Sequence, residues 1–364
     1  MIYVLILLLL ISFAAFLILQ RKVFGKSPGS DERERIIASP NYTGNAFVNP
    51  VPTKMHTNPL KILKVFTQSR KTDREPPFEI PLVKHNKDGF TDPPSQELKL
   101  MWLGHVSFLI EMAGKRILLD TVVSERVSPF GFAGPKRFHE PPLPADELPH
   151  IDLFVISHNH YDHMDYSLIR KLKDRDIHFV TSLGLESTLK HWGVGANKIT
   201  SLDWHESFRQ DGLEIIATPS RHFSGRSPFD RNKTFWCSYV VRSEDQSIYY
   251  EADSGYFDGF REIGEKYGPF DLSLMGIGAY NDLWAVIHTF PEEAVKGHLQ
   301  LNAGKMIPIH WCTFNLAVHP WIEPIERTVH EAKKKNVELI IPVPGEWVIP
   351  GKKQSRPLWW NHSI

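Results

Sequence analysis

Ser157-His158-Asn159-His160-Tyr161-Asp162-His163-Met164-Asp165 decides how this chain is read. Three histidines and an aspartate fall between positions 158 and 163. The stretch 152–157 before them reads as a buried strand that empties into a loop. In extended backbone, alternate side chains share a side, so His158 and His160 can reach one metal ion. Asp162 and His163 lie past the turn and can reach a second. Imidazole with carboxylate suits zinc, and manganese or iron(II) accept the same ligands. A lone histidine is usually an ordinary surface or core residue; four donor side chains at this spacing are not a composition effect.

One loop cannot fill two metal shells, so further ligands are expected where later strands end. Three positions qualify: His222 after a strand ending at Thr218, Asp253 after the strand 247–251, and His310 closing the apolar run 307–309. Taken singly, each is more often structural. Beside the loop, at strand ends where site-forming loops collect, all three become ligand candidates. Working outward, the pattern predicts strands at 98–103, 106–112, 116–120, 152–157, 213–218, 235–241, 247–251, 272–276, 306–309 and 337–342. Helical periodicity marks 166–173, 183–191, 256–267, 291–301 and 322–335. Pro291 with Glu292 and Glu293 makes a sound helix start, and Pro324 marks a first turn. Strands in succession, then strands alternating with helices, fit an α+β fold of two sheets packed face to face with helices outside.

The N-terminal end differs. From Ile2 to Leu19 every residue is apolar except Tyr3 and Ser12. A helix of that length spans roughly 27 Å, which predicts a transmembrane anchor over residues 1–20. No cation precedes the run and Arg21, Lys22 and Lys26 follow it, so the expected topology is single-pass with the rest of the chain cytoplasmic. A cleaved signal peptide with an unusual start is the alternative. Residues 21–96 are proline-rich and read as an extended basic arm with one short helix near 60–66. Its Lys54, Lys61, Lys64, Arg70, Lys71 and Arg74 suit either anionic lipid headgroups or a plain solvated face. Residues 97–364 read as the folded domain.

Composition sets outer bounds. The 364 residues carry 42 basic and 42 acidic side chains, so no whole-chain cationic field favours nucleic acid. Cys237 and Cys312 are the only cysteines, which excludes a disulfide scaffold and a cysteine zinc ribbon.

The histidine loop, together with Phe47-Val48-Asn49-Pro50, Trp102-Leu103-Gly104-His105, Gly134-Pro135-Lys136-Arg137-Phe138, Leu148-Pro149-His150-Ile151-Asp152, Gly268-Pro269-Phe270-Asp271-Leu272, Ile277-Gly278-Ala279-Tyr280 and Ile309-His310-Trp311-Cys312-Thr313-Phe314, resembles the metallo-β-lactamase superfamily. It is most similar to the branch of N-acyl-phosphatidylethanolamine-hydrolysing phospholipases D and their bacterial relatives. The resemblance implies a four-layer αββα sandwich holding two zinc ions. His158, His160 and His222 would hold one, Asp162, His163 and His310 the other, and Asp253 would bridge them. Asp162 and Asp253 would thus serve catalysis by metal-activated hydroxide, with Asp120 orienting a ligand histidine from behind. His288 would act at the substrate, and Tyr280 would line the pocket. His105 lies near that layer, with Gly104-His105 read as a packing corner. Two departures stand out: Asp120 is followed by Thr121 rather than proline, and Ala252-Asp253-Ser254-Gly255 replaces Gly-Asp-Thr-Gly. Both keep the carboxylate.

The activity so implied is cleavage of the phosphodiester of N-acyl-phosphatidylethanolamine to N-acylethanolamine and phosphatidate, at a membrane that supplies the phospholipid. A homodimer is the oligomer that branch offers. The alternative is hydrolysis of a soluble lactone, thioester or lactam at the same site. A non-catalytic membrane scaffold on this fold comes last, because all seven ligand positions carry competent donors.

Overall fold

The protein is described by a computed structural model over residues 2–55, 59–68, 71–352 and 358–361. Its N-terminal third holds α1 (Ile2–Leu19), α2 (Ser30–Ala38), the short pair β1 (Tyr42–Thr43) and β2 (Ala46–Phe47), and α3 (Pro59–Gln68). The first sheet region follows with β3 (Lys99–Gly104), β4 (Ser107–Met112), β5 (Lys115–Leu119), β6 (Leu153–Ile156), α4 (Tyr166–Leu172), β7 (His178–Ser182), α5 (Glu186–Trp192) and β8 (Ile199–Leu202). The second comprises β9 (Ser207–Gln210), β10 (Leu213–Thr218), β11 (Ser238–Arg242), β12 (Ser247–Tyr250), α6 (Gly259–Tyr267), β13 (Phe270–Gly276), α7 (Pro291–Gln300) and β14 (Ala303–Ile309), before α8 (Glu323–Lys335) and β15 (Trp347–Val348).

Seven strands run in the order β15-β3-β4-β5-β6-β7-β8, and six in the order β14-β13-β12-β11-β10-β9. Within each sheet there is a parallel stretch, β5 to β8 and β12 to β14; α4 to α7 make its crossovers except the first, where a long loop leads from β5 to β6. The strands are apolar on both faces because both faces are covered. Phe108, Ile110, Ile117 and Leu119 point into the cluster that also holds Ile215, Tyr239, Val241 and Leu272 of the other sheet. The alternate residues Leu109, Leu118, Phe154 and Phe179 pack instead with Leu168, Leu172 and Leu189 of α4 and α5. Phe260, Ile263, Ala294 and Ile325 bring α6, α7 and α8 against the second sheet. Tyr239 donates its hydroxyl across the sheets to the Ile156 carbonyl at 3.0 Å. The layering is therefore helix, sheet, sheet, helix, as expected.

Several expectations need correction. The stretch 337–342 is no strand; it touches β14 only through a bridge at Leu339. β7, β8, β9 and β15 were not anticipated, nor was α2. The arm, by contrast, packs on the main domain: Ile36, Phe47 and Ile80 are buried in the main core, and Phe47 stacks on Phe235 at 4.5 Å. Arg70 and Met1 lie outside the described residues.

The N-terminal helix forms, and Tyr3 to Leu10 are exposed on every face of more than two turns. Among the described residues, however, no helix is long and apolar enough to cross a membrane. The 18 residues of α1 give roughly 27 Å against a hydrocarbon core of about 30 Å. The expected transmembrane span is corrected to an uncovered apolar helix.

Candidate metal centre

The predicted donors converge at one edge of the sandwich, where strands of both sheets end. β6 releases His158 to His163, β10 leads to His222, β12 to Asp253 and β14 to His310. The backbone there is bent sharply: His105, Asp120, Ala252 and His310 all have positive φ, between 33° and 64°. For residues bearing a Cβ this costs roughly 1–2 kcal/mol each and is sustained by the packing around them. Gly278 shows how tight that packing is, since a Cβ there would lie 2.0 Å from the His310 carbonyl oxygen.

Two donor sets share one carboxylate. In the first, the Nδ1 atom of His160 lies 2.8 Å from His158 Nε2 and 3.2 Å from His222 Nε2. Asp253 Oδ2 stands 3.3 Å from His222 Nε2 and 3.8 Å from His158 Nε2. In the second, Asp253 Oδ1 stands 3.1 Å from His310 Nε2 and 3.2 Å from His163 Nε2. Asp162 Oδ2 lies 3.6 and 3.5 Å from the same two nitrogens. His158, His160, His222 and Asp253 gather their ligand atoms within 4.8 Å, as do Asp162, His163 and His310 together with His105, and Asp253 turns one oxygen to each side.

The donors fit divalent cations by their chemistry. His163 Nε2, His310 Nε2 and Asp253 Oδ1 are buried with no hydrogen-bond partner, although such atoms are normally satisfied. On three of the rings the opposite nitrogen is engaged, His158 Nδ1 with Ser157 Oγ at 2.9 Å, His163 Nδ1 with Asp120 Oδ2 at 2.8 Å and His222 Nδ1 donating to the Ile287 carbonyl at 2.9 Å, whereas His310 Nδ1 is also without a partner. That arrangement turns the free nitrogens inward. Burial pushes the Asp162 and Asp253 carboxyls up, but the surrounding histidines outweigh it and hold both well below the usual range. Burial lowers His310, yet Asp253 and Asp162 raise it to about 9. Burial and three neighbouring histidines hold His158 well below its ordinary value, as a neutral donor. Against burial, Asp253 and Asp162 also raise His163 well above its ordinary value, so the two buried carboxylates draw positive charge onto their histidine neighbours, a charge that divalent cations would supply instead.

Asp120 stands behind this group. Its Oδ2 accepts from His163 Nδ1 at 2.8 Å and from the Tyr250 hydroxyl at 2.7 Å, while Oδ1 accepts from the Ser157 amide at 2.7 Å. It therefore fixes the ring of His163 as a carboxylate behind a ligand does. His288 sits at the rim, its ring 5.1 Å from those of His222 and His310.

Tyr280 is a correction. Its hydroxyl donates to Glu323 Oε1 at 2.6 Å and accepts from Arg327 at 3.2 Å, and its ring stacks on His319. Trp284 and Ile287, a few positions on, take the lining role instead. His105 is the converse case. Its Nε2 donates to Asp162 Oδ2 at 2.9 Å, and burial first, then His310, lowers its pKa to about 4. It therefore holds Asp162 of the second donor set in place, beyond any part in a packing corner. Glu251 was also missed; it lies two positions before Asp253, burial pushes its pKa well up, and it accepts from the Gly276 amide at 2.7 Å. Asn49 of the arm clamps the backbone of His222 in both directions, at 2.8 and 2.9 Å.

Above the donors lies a cavity of about 290 Å³ whose wall is apolar at Met55, Phe223, Trp284, Ile287 and Leu316. Trp311, by contrast, is core, stacked between Trp102 and Trp359, and the Cys312 thiol is buried with its pKa pushed well up.

Residues 115–311 match the family described as "Beta-lactamase superfamily domain". An uncharacterized protein of Mycobacterium tuberculosis is 40% identical over 330 residues, covering 89% of this chain and 88% of its own. N-acyl-phosphatidylethanolamine-hydrolyzing phospholipase D 1 of Caenorhabditis elegans is 36% identical over 239 residues, 62% of this chain and 67% of its own. The isothiocyanate hydrolase from Delia radicum gut bacteria shares the fold at a TM-score of 0.56 and 22% identity, covering 69% of this chain and 98% of that one.

Proposed function

The chain belongs to the metallo-β-lactamase superfamily as a metal-dependent hydrolase, and on that premise we propose that it is a phospholipase D-type phosphodiesterase acting on N-acyl-phosphatidylethanolamine. The observation that carries the reading is the apolar wall of Met55, Phe223, Trp284, Ile287 and Leu316 set directly over the histidine and aspartate donors. A phosphodiester flanked by acyl chains presents that combination of an anionic centre and apolar surroundings. The name of the Caenorhabditis elegans relative points the same way.

His158, His160 and His222 would hold one cation, Asp162, His163 and His310 the second, with Asp253 between them; zinc is our assignment. Such a pair of cations supplies Lewis acidity and, by lowering the pKa of water toward about 7, a nucleophile at neutral pH. The protein's own part is positional. Asp120 and the Ile287 carbonyl hold ligand rings at fixed angles, so little reorganisation accompanies reaction. His288, at the rim and held well below its ordinary pKa chiefly by burial, is neutral and can donate a hydrogen bond to a substrate oxygen. The apolar wall excludes water from the scissile group.

We place the protein at a membrane, with the hydrolase domain on the cytoplasmic side. The support is the uncovered helix α1, the cations Arg21, Lys22 and Lys26 behind it, and α3, where exposed Leu60 and Leu63 accompany exposed Lys61 and Lys64 close after Met55. An apolar helix that no protein covers favours lipid. This needs immersion in the bilayer, not a crossing of it.

The test is turnover of a phospholipid panel by the purified full-length protein, with bound metal counted in the same sample. Release of an N-acylethanolamine at two metals per chain is expected. Two metals with turnover only of lactones, thioesters or lactams would overturn the lipid assignment while keeping the hydrolase.

A further inference from the structure

Arg226 takes no part in the site just described, yet three separate segments meet on its guanidinium. The side chain is 4% exposed. Its NH1 donates to the Asn159 carbonyl at 2.8 Å and to the Met164 carbonyl at 2.9 Å, one within the histidine loop and one at its end. Its Nε donates to the Val23 carbonyl at 2.9 Å, just beyond α1. The guanidinium lies 4.0 Å above the ring of Tyr161, inside the histidine loop, and 5.1 Å from the ring of Trp192. The bonds also run back: the Tyr161 hydroxyl donates to the Arg226 carbonyl at 2.7 Å, and Trp192 Nε1 donates to the Lys22 carbonyl at 2.7 Å. Asn159 Oδ1 accepts from the amide of Gly225 at 2.7 Å.

Position gives this arrangement its meaning. Arg226 stands four residues after His222 on the same loop, and it grips the loop that carries His158 and His160. The three histidines of the first donor set thus come from two loops, and Arg226 is a rivet between them. The second set takes Asp162 and His163 from that same loop, but His105 and Asp120 hold those two side chains independently, and its His310 and Asp253 come from strand ends that Arg226 does not touch. Its side-chain partners are carbonyl oxygens and ring faces rather than carboxylates, so it directs backbone instead of cancelling charge. A planar fork with several fixed donors suits that task, which a flexible ammonium cannot reproduce.

We infer that Arg226 is a positioning residue for the His158, His160 and His222 metal position, and that it ties that position to the segment 22–26 at the foot of the N-terminal helix. The inference rests on the two-metal reading of the site. Its consequence is selective, because loosening the rivet weakens one metal position and spares the other.

The test uses full-length Arg226→Lys, loaded with zinc and titrated with a chelator while bound metal is counted and folding is followed by circular dichroism. One zinc is expected to leave at a chelator concentration at least ~10-fold lower than in the parent, by analogy with the 10–100-fold losses seen when ligand-supporting groups are removed. The second zinc should leave where it does in the parent. Equal weakening of both, or of neither, overturns the inference. Tyr161→Phe and Trp192→Phe keep the ring beneath or beside the guanidinium and remove one hydrogen bond each. Both should shift the same zinc in the same direction by less, and they decide the matter if the lysine variant does not fold; no selective shift in either overturns it. A parent protein that binds a single zinc or none would instead overturn the two-metal reading, which separates the two failures.

Discussion

The hairpin of β4 and β5 carries a buried charged cluster at each end, and the two are built to opposite rules. At the turn end Arg116 faces its cross-strand partner Glu111, both fully buried, with Nε donating to Glu111 Oε1 at 2.8 Å. Asp92 takes NH1 at 2.7 Å, and Glu111 Oε2 accepts from the Ser95 amide at 2.8 Å and pairs with Lys99 at 2.9 Å. Each charge there is answered by its neighbours. At the far end Asp120 answers to His163, Ser157 and Tyr250, but the group it supports leaves His163 Nε2, His310 Nε2 and Asp253 Oδ1 without partners, all facing one space. A buried ionic cluster that closes on itself holds a fold. One whose unpaired atoms converge is made to receive something.

The largest effect that could break this contrast is at Asp253. Asp253→Ala removes the carboxylate common to both donor sets and is expected to lose most bound metal and at least ~10³-fold in rate, read by metal analysis and turnover. Near-normal turnover would mean that the open cluster receives nothing. At the closed end, Glu111→Leu leaves Arg116 buried beside a missing partner. It should destabilise the fold by about 3–5 kcal/mol in denaturant titration while leaving metal stoichiometry unchanged. A loss of metal without loss of stability would erase the distinction between the ends.

The same variant has a pH signature. Burial pushes the Glu111 carboxyl up, but the Ser95 amide, Lys99 and Arg116 outweigh it and hold its pKa below the ordinary 4.5. The folded state therefore binds that proton less readily than the unfolded one. Its contribution is complete above about pH 4.5 and disappears as the pH falls through the folded value. The stability gap between parent and Glu111→Leu should narrow over that acid range. Smallest of the three, Asp120→Asn keeps size but removes the charge behind His163, and it should weaken metal binding about 10–100-fold by chelator competition. An unchanged affinity would make Asp120 a structural residue of the closed kind.

How much of this was legible follows from distance along the chain. His158 to His163 announce themselves because their spacing is local, and His222, Asp253 and His310 because each ends a recognisable strand. His105 meets Asp162 across 57 residues, and Gly104-His105 looks like any tight turn, so nothing local marks it. Arg226 sits in a polar loop whose partners are carbonyl oxygens, which no side-chain pattern encodes. Tyr280 failed for the same reason in reverse: only tertiary contact with Glu323 and Arg327 turns it away from the cavity. β7 to β9 are four or five residues long, too short for periodicity to separate from loops. The stretch 337–342 had strand composition but found only one bridge. α1 was legible as a helix; its reach fell short of a crossing.

The last donor, His310, arrives on the penultimate strand of the chain, and the final strand β15 pairs back onto β3, the first strand of its sheet. Synthesis therefore delivers the ingredients of the centre out of step. A nascent chain that has emerged through α4 already displays His158, His160, Asp162 and His163 but has neither the aspartate shared by the two sets nor the closing histidine. Until then the loop offers only an incomplete imidazole and carboxylate set, of the kind that borderline divalent ions accept. The complete ligand set exists only once β14 has docked and the two sheets of the sandwich have closed.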